Sequence, residues 1–234
     1  MESLAQETSS LQVGLMLGSY NPPHLAHVET ADRLRRAGGL KEIWMMPIPQ
    51  SPYKRDVAQV PFKDKIKMCE IVAEPHQEWL KVSDACADFP PDKLGQLQQY
   101  KRTIEGLMQS HCGVHFSIVA GEDFSHKYQG VTHAMAYLGM MCEAFRHMTI
   151  FQSNMIGQFA DRIVKANEIF QKLTIMSAPR ATFCMTDEEG REQHGMEMSS
   201  SVLREAIRSG ADHVFGIPDA LMRYILQQGF YRQP

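Results

Sequence analysis

The chain has 234 residues, 44% of them hydrophobic, and 24 basic against 27 acidic side chains leave a formal net charge of −3. That length supports one sizeable core and leaves little room for a second full domain. The charge balance lacks the basic footprint of a general nucleic-acid binder, although a basic pocket could still hold phosphate, and no apolar run approaches a membrane span.

Residues 1–11 read as a short disordered arm, polar from Met1 to Ser10 and without the basic start and apolar stretch of a secretory signal. Residues 12–234 read as one domain. Gln12–Leu17 is a short apolar strand broken by Gly18. Leu25–Ala37 follows with Leu25, Val28, Ala31 and Leu34 at helical spacing, ended by Gly38-Gly39. Glu42–Met46 is a second strand stopped by Pro47, and Ile48–Val60 a loop carrying prolines and basic residues. Phe62–Ala73 is a helix and Trp79–Ser83 a third strand. Pro90-Pro91 precedes a long helix over Asp92–Gln109, and Val114–Ala120 is an interior strand ending at Gly121.

Beyond it, His133–Phe145 reads as a Met-rich helix within an insert around residues 124–146. Met148–Gln152 is a strand, Ile156–Phe170 a helix and Leu173–Met176 a strand, with Ala181–Met185 as one more. Ser199 opens a helix to Ser209, and Pro218–Gln228 is the last helix. Strands alternate with helices at crossover lengths, which predicts an α/β domain with a Rossmann-like, doubly wound, mostly parallel sheet and helices on both faces. Such sheets bind ligands at the carboxyl ends of their strands, near the switch point. Gly18, Pro47 and Gly121 all stand at predicted strand ends.

The five cysteines (Cys69, Cys86, Cys112, Cys142 and Cys184) are odd in number, widely spaced and without a Cys-x-x-Cys pair. Free thiols in a reducing cytoplasm are expected, and no structural zinc. The 16 methionines suit a core that needs adaptable filling.

The densest chemistry lies in Gly18-Ser19-Tyr20-Asn21-Pro22-Pro23-His24-Leu25-Ala26-His27. Gly18 lets the backbone approach a ligand closely. The prolines stiffen the turn and push the helix start to His24, where free N–H groups and the positive dipole end suit phosphate. His24 and His27, three apart, share one face of the first turn and could donate to developing charge. An ordinary capping or surface pair fits the same spacing, and a zinc pair would need a third ligand. The segment is neither a Gly-x-Gly-x-x-Gly nor a P-loop pattern.

This segment resembles the Gly-x-Phe-x-Pro-x-His/Thr-x-x-His signature of the HIGH-type nucleotidyltransferase superfamily. Farther on, Ser199-Ser200-Ser201-Val202-Leu203-Arg204 resembles the Ile-Ser-Ser-Thr-x-Ile-Arg motif of the nicotinate and nicotinamide mononucleotide adenylyltransferases. Alone, it reads equally as a serine N-cap with a surface arginine. The tail Gly216-Ile217-Pro218-Asp219, Tyr224-Ile225 and Gly229-Phe230-Tyr231 resembles the ending of that family. Gly121-Glu122-Asp123 is similar to its Gly-Ala-Asp, and the loop from Pro47 to Lys54 to its loop after the second strand. The Trp expected near the pyridine ring has no counterpart, since Trp44 and Trp79 fall elsewhere, and residues 124–146 match nothing in the family.

The resemblance implies transfer of AMP from ATP to a pyridine mononucleotide, with Mg²⁺ entering mainly on the ATP phosphates. It implies catalytic roles for His24, His27 and Arg204. ATP would contact Gly18, Ser19, Tyr20, Gly121, Asp123, Ser199, Ser200 and Ser201 as well, and the acceptor Ser19, Tyr20, Lys54 and Thr103. Asp123 could instead be a helix N-terminal acid and Lys54 a solvated lysine. Rival readings are a pantetheine-phosphate adenylyltransferase, a cytidylyltransferase or a non-catalytic nucleotide-binding homologue. ATP and the mononucleotide are the expected partners, neither nucleic acid nor membrane is expected, and a homo-oligomer is allowed.

Overall fold

The computed structural model describes residues 11–51, 57–119, 149–151, 185–186, 192–193 and 198–232. Five strands form one parallel sheet: β1 (Leu11–Gly18), β2 (Glu42–Pro47), β3 (Leu80–Val82), β4 (Val114–Val119) and β5 (Thr149–Phe151). Their order is β3-β2-β1-β4-β5, every pairing parallel. The helices are α1 (Leu25–Ala37), α2 (Phe62–Ala73), α3 (Lys93–Ser110), α4 (Ser200–Arg208) and α5 (Asp219–Gln228). A two-stranded antiparallel ladder joins β6 (Met185–Thr186) to β7 (Glu192–Gln193).

The period of two along each strand assigns its side chains to two cores. Val13 and Leu15 of β1 join Met46, Phe116 and Ile104 of α3 on one face. Met16 joins Ile43, Met45 and Val119 on the other, against Val28 and Leu34 of α1, Met68 and Val72 of α2, Leu203 and Ile207 of α4, and Leu221 and Ile225 of α5. Helices thus cover both faces, as the alternation of elements predicts. Gly14, in mid-strand, is explained by crowding. A Cβ there would lie 2.5 Å from Ile43 Cδ1 and 2.7 Å from Val119 Cγ2.

The order of strands reverses direction between β1 and β4, which pair from Leu11↔Val114 to Met16↔Val119. Here the crossovers leave to opposite sides and open a crevice at the carboxyl ends. Helices α1 and α2 occupy the residues their periodicity predicts. Other bounds shift by a residue or two: β1 starts at Leu11, β3 is shorter than Trp79–Ser83, and Pro218 is the N-cap of α5 rather than its first residue. The β7 segment carries no strand signal in its charged sequence, and of Ala181–Met185 only Met185 is a described strand residue. The predicted elements His133–Phe145, Ile156–Phe170 and Leu173–Met176, like the arm before residue 11, lie outside the described residues.

Lys65 interrupts the apolar stripe of α2 and is fully buried. Its ammonium donates to Ile48 O at 3.0 Å, Pro49 O at 2.6 Å and Gln59 Oε1 at 2.7 Å. All three protons are used, so the loop after β2 is clipped at its start and near its end by one side chain. Replacing Lys65 by Met keeps most of the volume but strands these acceptors. Unfolding free energy in a urea titration is expected to fall by about 2–3 kcal/mol. A variant as stable as the parent would show that the clip contributes nothing. Burial pulls the Lys65 ammonium down to about 8. The unfolded chain keeps that proton to an ordinary lysine value of roughly 10.4. Between these values the unfolded state binds more protons, so the contribution of Lys65 rises with pH across that window. The stability gap between the parent and Lys65→Met should therefore widen from about pH 8 upward, and a gap that narrowed would contradict the sign.

Candidate active site

β1 ends at Gly18, whose carbonyl accepts from Ile48 N at 3.0 Å, so the turns after β1 and β2 start side by side. Tyr20 then takes a left-handed φ of 43° and folds its buried ring back under the turn, where its hydroxyl donates to Met16 O at 2.7 Å. Burial raises its pKa, keeping the phenol a neutral donor. The folded ring explains Gly18: an added Cβ would sit 2.6 Å from a ring carbon. Ser19 Oγ is buried and, among the described residues, has no hydrogen-bond partner. A polar atom in that state is costly unless a ligand meets it.

His24 is the N-cap of α1, with extended backbone. Its N–H donates to His27 Nδ1 at 3.1 Å, while His27 N–H returns to His24 O at 2.9 Å. With Nδ1 accepting, the proton of a neutral His27 ring sits on Nε2. The two rings stack with centroids 3.8 Å apart, and Tyr20 meets His27 edge-on at 4.9 Å. The pair is thus both a helix cap and a fixed presentation of imidazole. No group of three or more His, Cys, Asp or Glu side chains suited to a metal occurs among the described residues.

The second motif meets the first here, 183 residues away along the chain. Arg204, 8% exposed, donates to Asn21 O at 2.6 Å and to Ser201 Oγ at 3.2 Å. It is therefore no surface arginine. Burial draws its pKa down, but a guanidinium stays charged. Ser200 Oγ donates to Pro22 O at 3.0 Å, and Ser199 Oγ accepts from Val202 N at 3.3 Å as the N-cap of α4. Tyr231 donates to Asn21 Oδ1 at 2.7 Å, and Asn21 Nδ2 donates to Ala58 O at 3.0 Å.

Two helix N-termini and one buried cation therefore converge at the switch point. Neither α1 nor α4 has an acid in its first turn, whereas α2 carries Asp64 and α5 carries Asp219 there. Acids normally favour that position. Their absence leaves both dipole ends for an external anion.

The structure brings together Gly18, Ser19, Tyr20, His24, His27, Ser199, Ser200, Ser201 and Arg204. Thr103 belongs to α3 on the other face of the sheet, where its hydroxyl lies 3.4 Å from Ala85 O. Lys54, Gly121 and Asp123 lie outside the described residues. The parts Asn21, Lys65 and Tyr231 play were not read from the sequence. For Lys65 a signal existed, a lysine at helical spacing with Met68, Cys69 and Val72.

A doubly wound parallel sheet with these features defines a Rossmann-like α/β protein whose switch point gathers two helix N-termini and a buried arginine. The chain belongs to the cytidylyltransferase-like family, whose model matches residues 15–206. It is 32% identical over 112 residues to a probable nicotinate-nucleotide adenylyltransferase of Anaeromyxobacter dehalogenans, a match spanning 48% of this chain and only 57% of that protein. A protein of the same description from Flavobacterium johnsoniae is 22% identical over 226 residues, covering 95% of this chain and 100% of the relative. The fold is similar to that of Plasmodium falciparum nicotinic acid mononucleotide adenylyltransferase complexed with NaAD. The TM-score is 0.54 at 13% identity, covering 94% of this chain and 97% of that one.

Because the Tyr20 ring fills the space beside Gly18, Gly18→Ala is expected to lower unfolding free energy by about 1–3 kcal/mol. It should also perturb the near-ultraviolet tyrosine dichroism. A variant with unchanged stability and spectrum would show that the ring is free to move aside.

Proposed function

We propose that this chain is a nucleotidyltransferase that moves AMP from ATP onto nicotinate or nicotinamide mononucleotide, forming the dinucleotide and pyrophosphate. The observation that carries this reading is the convergence of the histidine turn after β1 with the serine start of α4 and Arg204. Family membership and the descriptions of the relatives support it, and they make nicotinate mononucleotide the first acceptor to try.

An acceptor phosphate oxygen attacks the α-phosphorus of ATP, and the bond from that phosphorus to the bridging oxygen of the leaving pyrophosphate breaks. No covalent enzyme intermediate is needed, so the protein positions reactants and neutralises charge. The backbone of Gly18, Ser19 and Tyr20 lets the phosphates approach, and Ser19 Oγ meets one of their oxygens. His24 and His27 donate to charge on the transferring group. Arg204, with five N–H donors of which two are engaged on Asn21 and Ser201, holds the pyrophosphate side with the start of α4. Asp123, two residues after Gly121, takes the ATP ribose, and Lys54 the acceptor. Any Mg²⁺ would be brought in by ATP, where it would neutralise phosphate charge. The donors at the turn, hydroxyl, imidazole and N–H, suit those phosphates.

We assign the enzyme to the cytoplasm. Among the described residues no helix is long and apolar enough to cross a membrane.

A pyrophosphate-release assay with ATP and each mononucleotide tests the assignment. Release with neither would reject it. His27→Ala should lower turnover by about two to three orders of magnitude, the worth of one transition-state donor at ~3–4 kcal/mol. Full activity in a folded His27→Ala protein would remove His27 from the mechanism.

A further inference from the structure

Among the described residues, two that are not glycine hold a left-handed backbone: Tyr20 at φ 43° and Tyr231 at φ 65°. For a tyrosine this conformation is strained, and it persists only where the surroundings enforce it. Both converge on Asn21. Tyr20 precedes it in the chain. Tyr231, 210 residues away, donates its phenol proton to Asn21 Oδ1 at 2.7 Å.

Asn21 is 2% exposed, and its polar groups face three separate segments. Its carbonyl takes Arg204 from α4, its amide oxygen takes Tyr231 from the end of the chain, and its amide nitrogen donates to Ala58 in the loop after β2. An amide can satisfy a donor and an acceptor at once only in one of its two flipped orientations. Ala58 O can only accept and so selects the orientation in which Nδ2 faces it, and the Tyr231 hydroxyl, donating to Oδ1, holds the amide there. The tyrosine reaches the far loop through a single intermediary, Asn21.

Tyr224, on the same helix as the tail, gives the contrast. Its phenol donates to Asp64 Oδ1 at 2.7 Å and so ties α5 to α2. That bond reaches α2, beside the Lys65 clip, rather than Asn21. Two phenols seven positions apart thus have different tasks.

We propose that Tyr231 is a positioning residue that locks the Asn21 amide and so fixes the spacing between the phosphate turn after β1 and the acceptor loop after β2. The inference rests on the reading of that loop as acceptor-binding for its kinetic part, but not for its structural part. Loss of the phenol leaves a buried amide oxygen without its donor, weakens the hold of the amide on Ala58 O, and loosens residues 57–60. ATP, held by the turn and α4, is little affected. The acceptor, which must be placed against the α-phosphorus, is.

Tyr231→Phe removes the hydroxyl and keeps the ring. Hydrogen exchange of the 48–60 segment should quicken about tenfold, in keeping with one lost buried hydrogen bond. The acceptor KM should rise about tenfold, with the ATP KM changed less than about twofold. Tyr224→Phe serves as the control, with a lower Tm but with exchange at Ala58 and the acceptor KM changed far less than in Tyr231→Phe. Unchanged exchange in Tyr231→Phe overturns the proposal, as does a fall in Tm with both KM values intact. If the parent transfers no adenylyl group at all, the proposed function fails, while the exchange experiment still decides whether Tyr231 locks the loop. If Tyr231→Phe does not fold, Asn21→Asp, which keeps an acceptor for Tyr231 but turns a second oxygen toward Ala58 O, must quicken exchange in 48–60 or the lock is refuted.

Discussion

Everything at the switch point depends on one bond between distant parts of the chain, the buried Arg204 guanidinium on the carbonyl of Asn21. A turn containing two prolines has few N–H groups with which to brace itself. Its carbonyls must be satisfied from outside, and α4 supplies the donors, Arg204 to Asn21 O and Ser200 to Pro22 O. The first motif is therefore incomplete as a structure without the second, long before any ligand is considered. That dependence explains why a serine-rich helix start and an arginine one turn later occur together: the serines cap and fasten, and the arginine fastens and carries charge.

The choice of partners for the buried cations follows the same logic. Arg204 and Lys65 are both withdrawn from water, and among the described residues neither forms a salt bridge. Their donors meet carbonyl, hydroxyl and amide oxygens instead. Such dipoles offset part of the desolvation without cancelling the charge. A carboxylate partner would be more stabilising at short range but would erase the positive potential beside the crevice. With no acid in the first turn of α1 or α4, that potential adds to two helix dipoles aimed at the same place. Arg204 and the two helix starts thus leave their positive charge facing the crevice.

How much of this was legible in the sequence depends on the range of the interaction. The strands and helices around the site were readable, because Val13-Gly14-Leu15-Met16 alternates between two cores and Val28, Ala31 and Leu34 keep a helical period. The turn was readable because Gly18, Pro22 and Pro23 act locally. The binding chemistry of Ser199–Arg204 was ambiguous, since a serine N-cap with a surface arginine has the same pattern. Only burial decides against the surface arginine, and it comes with the docking of the start of α4 onto the distant turn after β1. Asn21 was passed over because an asparagine in a turn usually serves its own backbone. Nothing local announces that its amide bridges to positions 58 and 231. Tyr231 was readable as a family ending but not as a contact, because its partner lies 210 residues away.

The histidines show why local reading understates such a site. The bond from His24 N–H to His27 Nδ1 is a helix cap, the ordinary role for polar residues at this spacing. Yet by occupying Nδ1 as an acceptor the cap also decides which nitrogen of a neutral ring carries the proton. A His27 that did not cap would be free to choose either tautomer and either ring orientation. The capping role and the proposed catalytic role are therefore not alternatives. The first prepares the second, in that a donor fixed before the ligand arrives needs no reorganisation when charge develops. The same holds for Arg204, whose structural bond to Asn21 sets the plane in which its remaining N–H groups are presented.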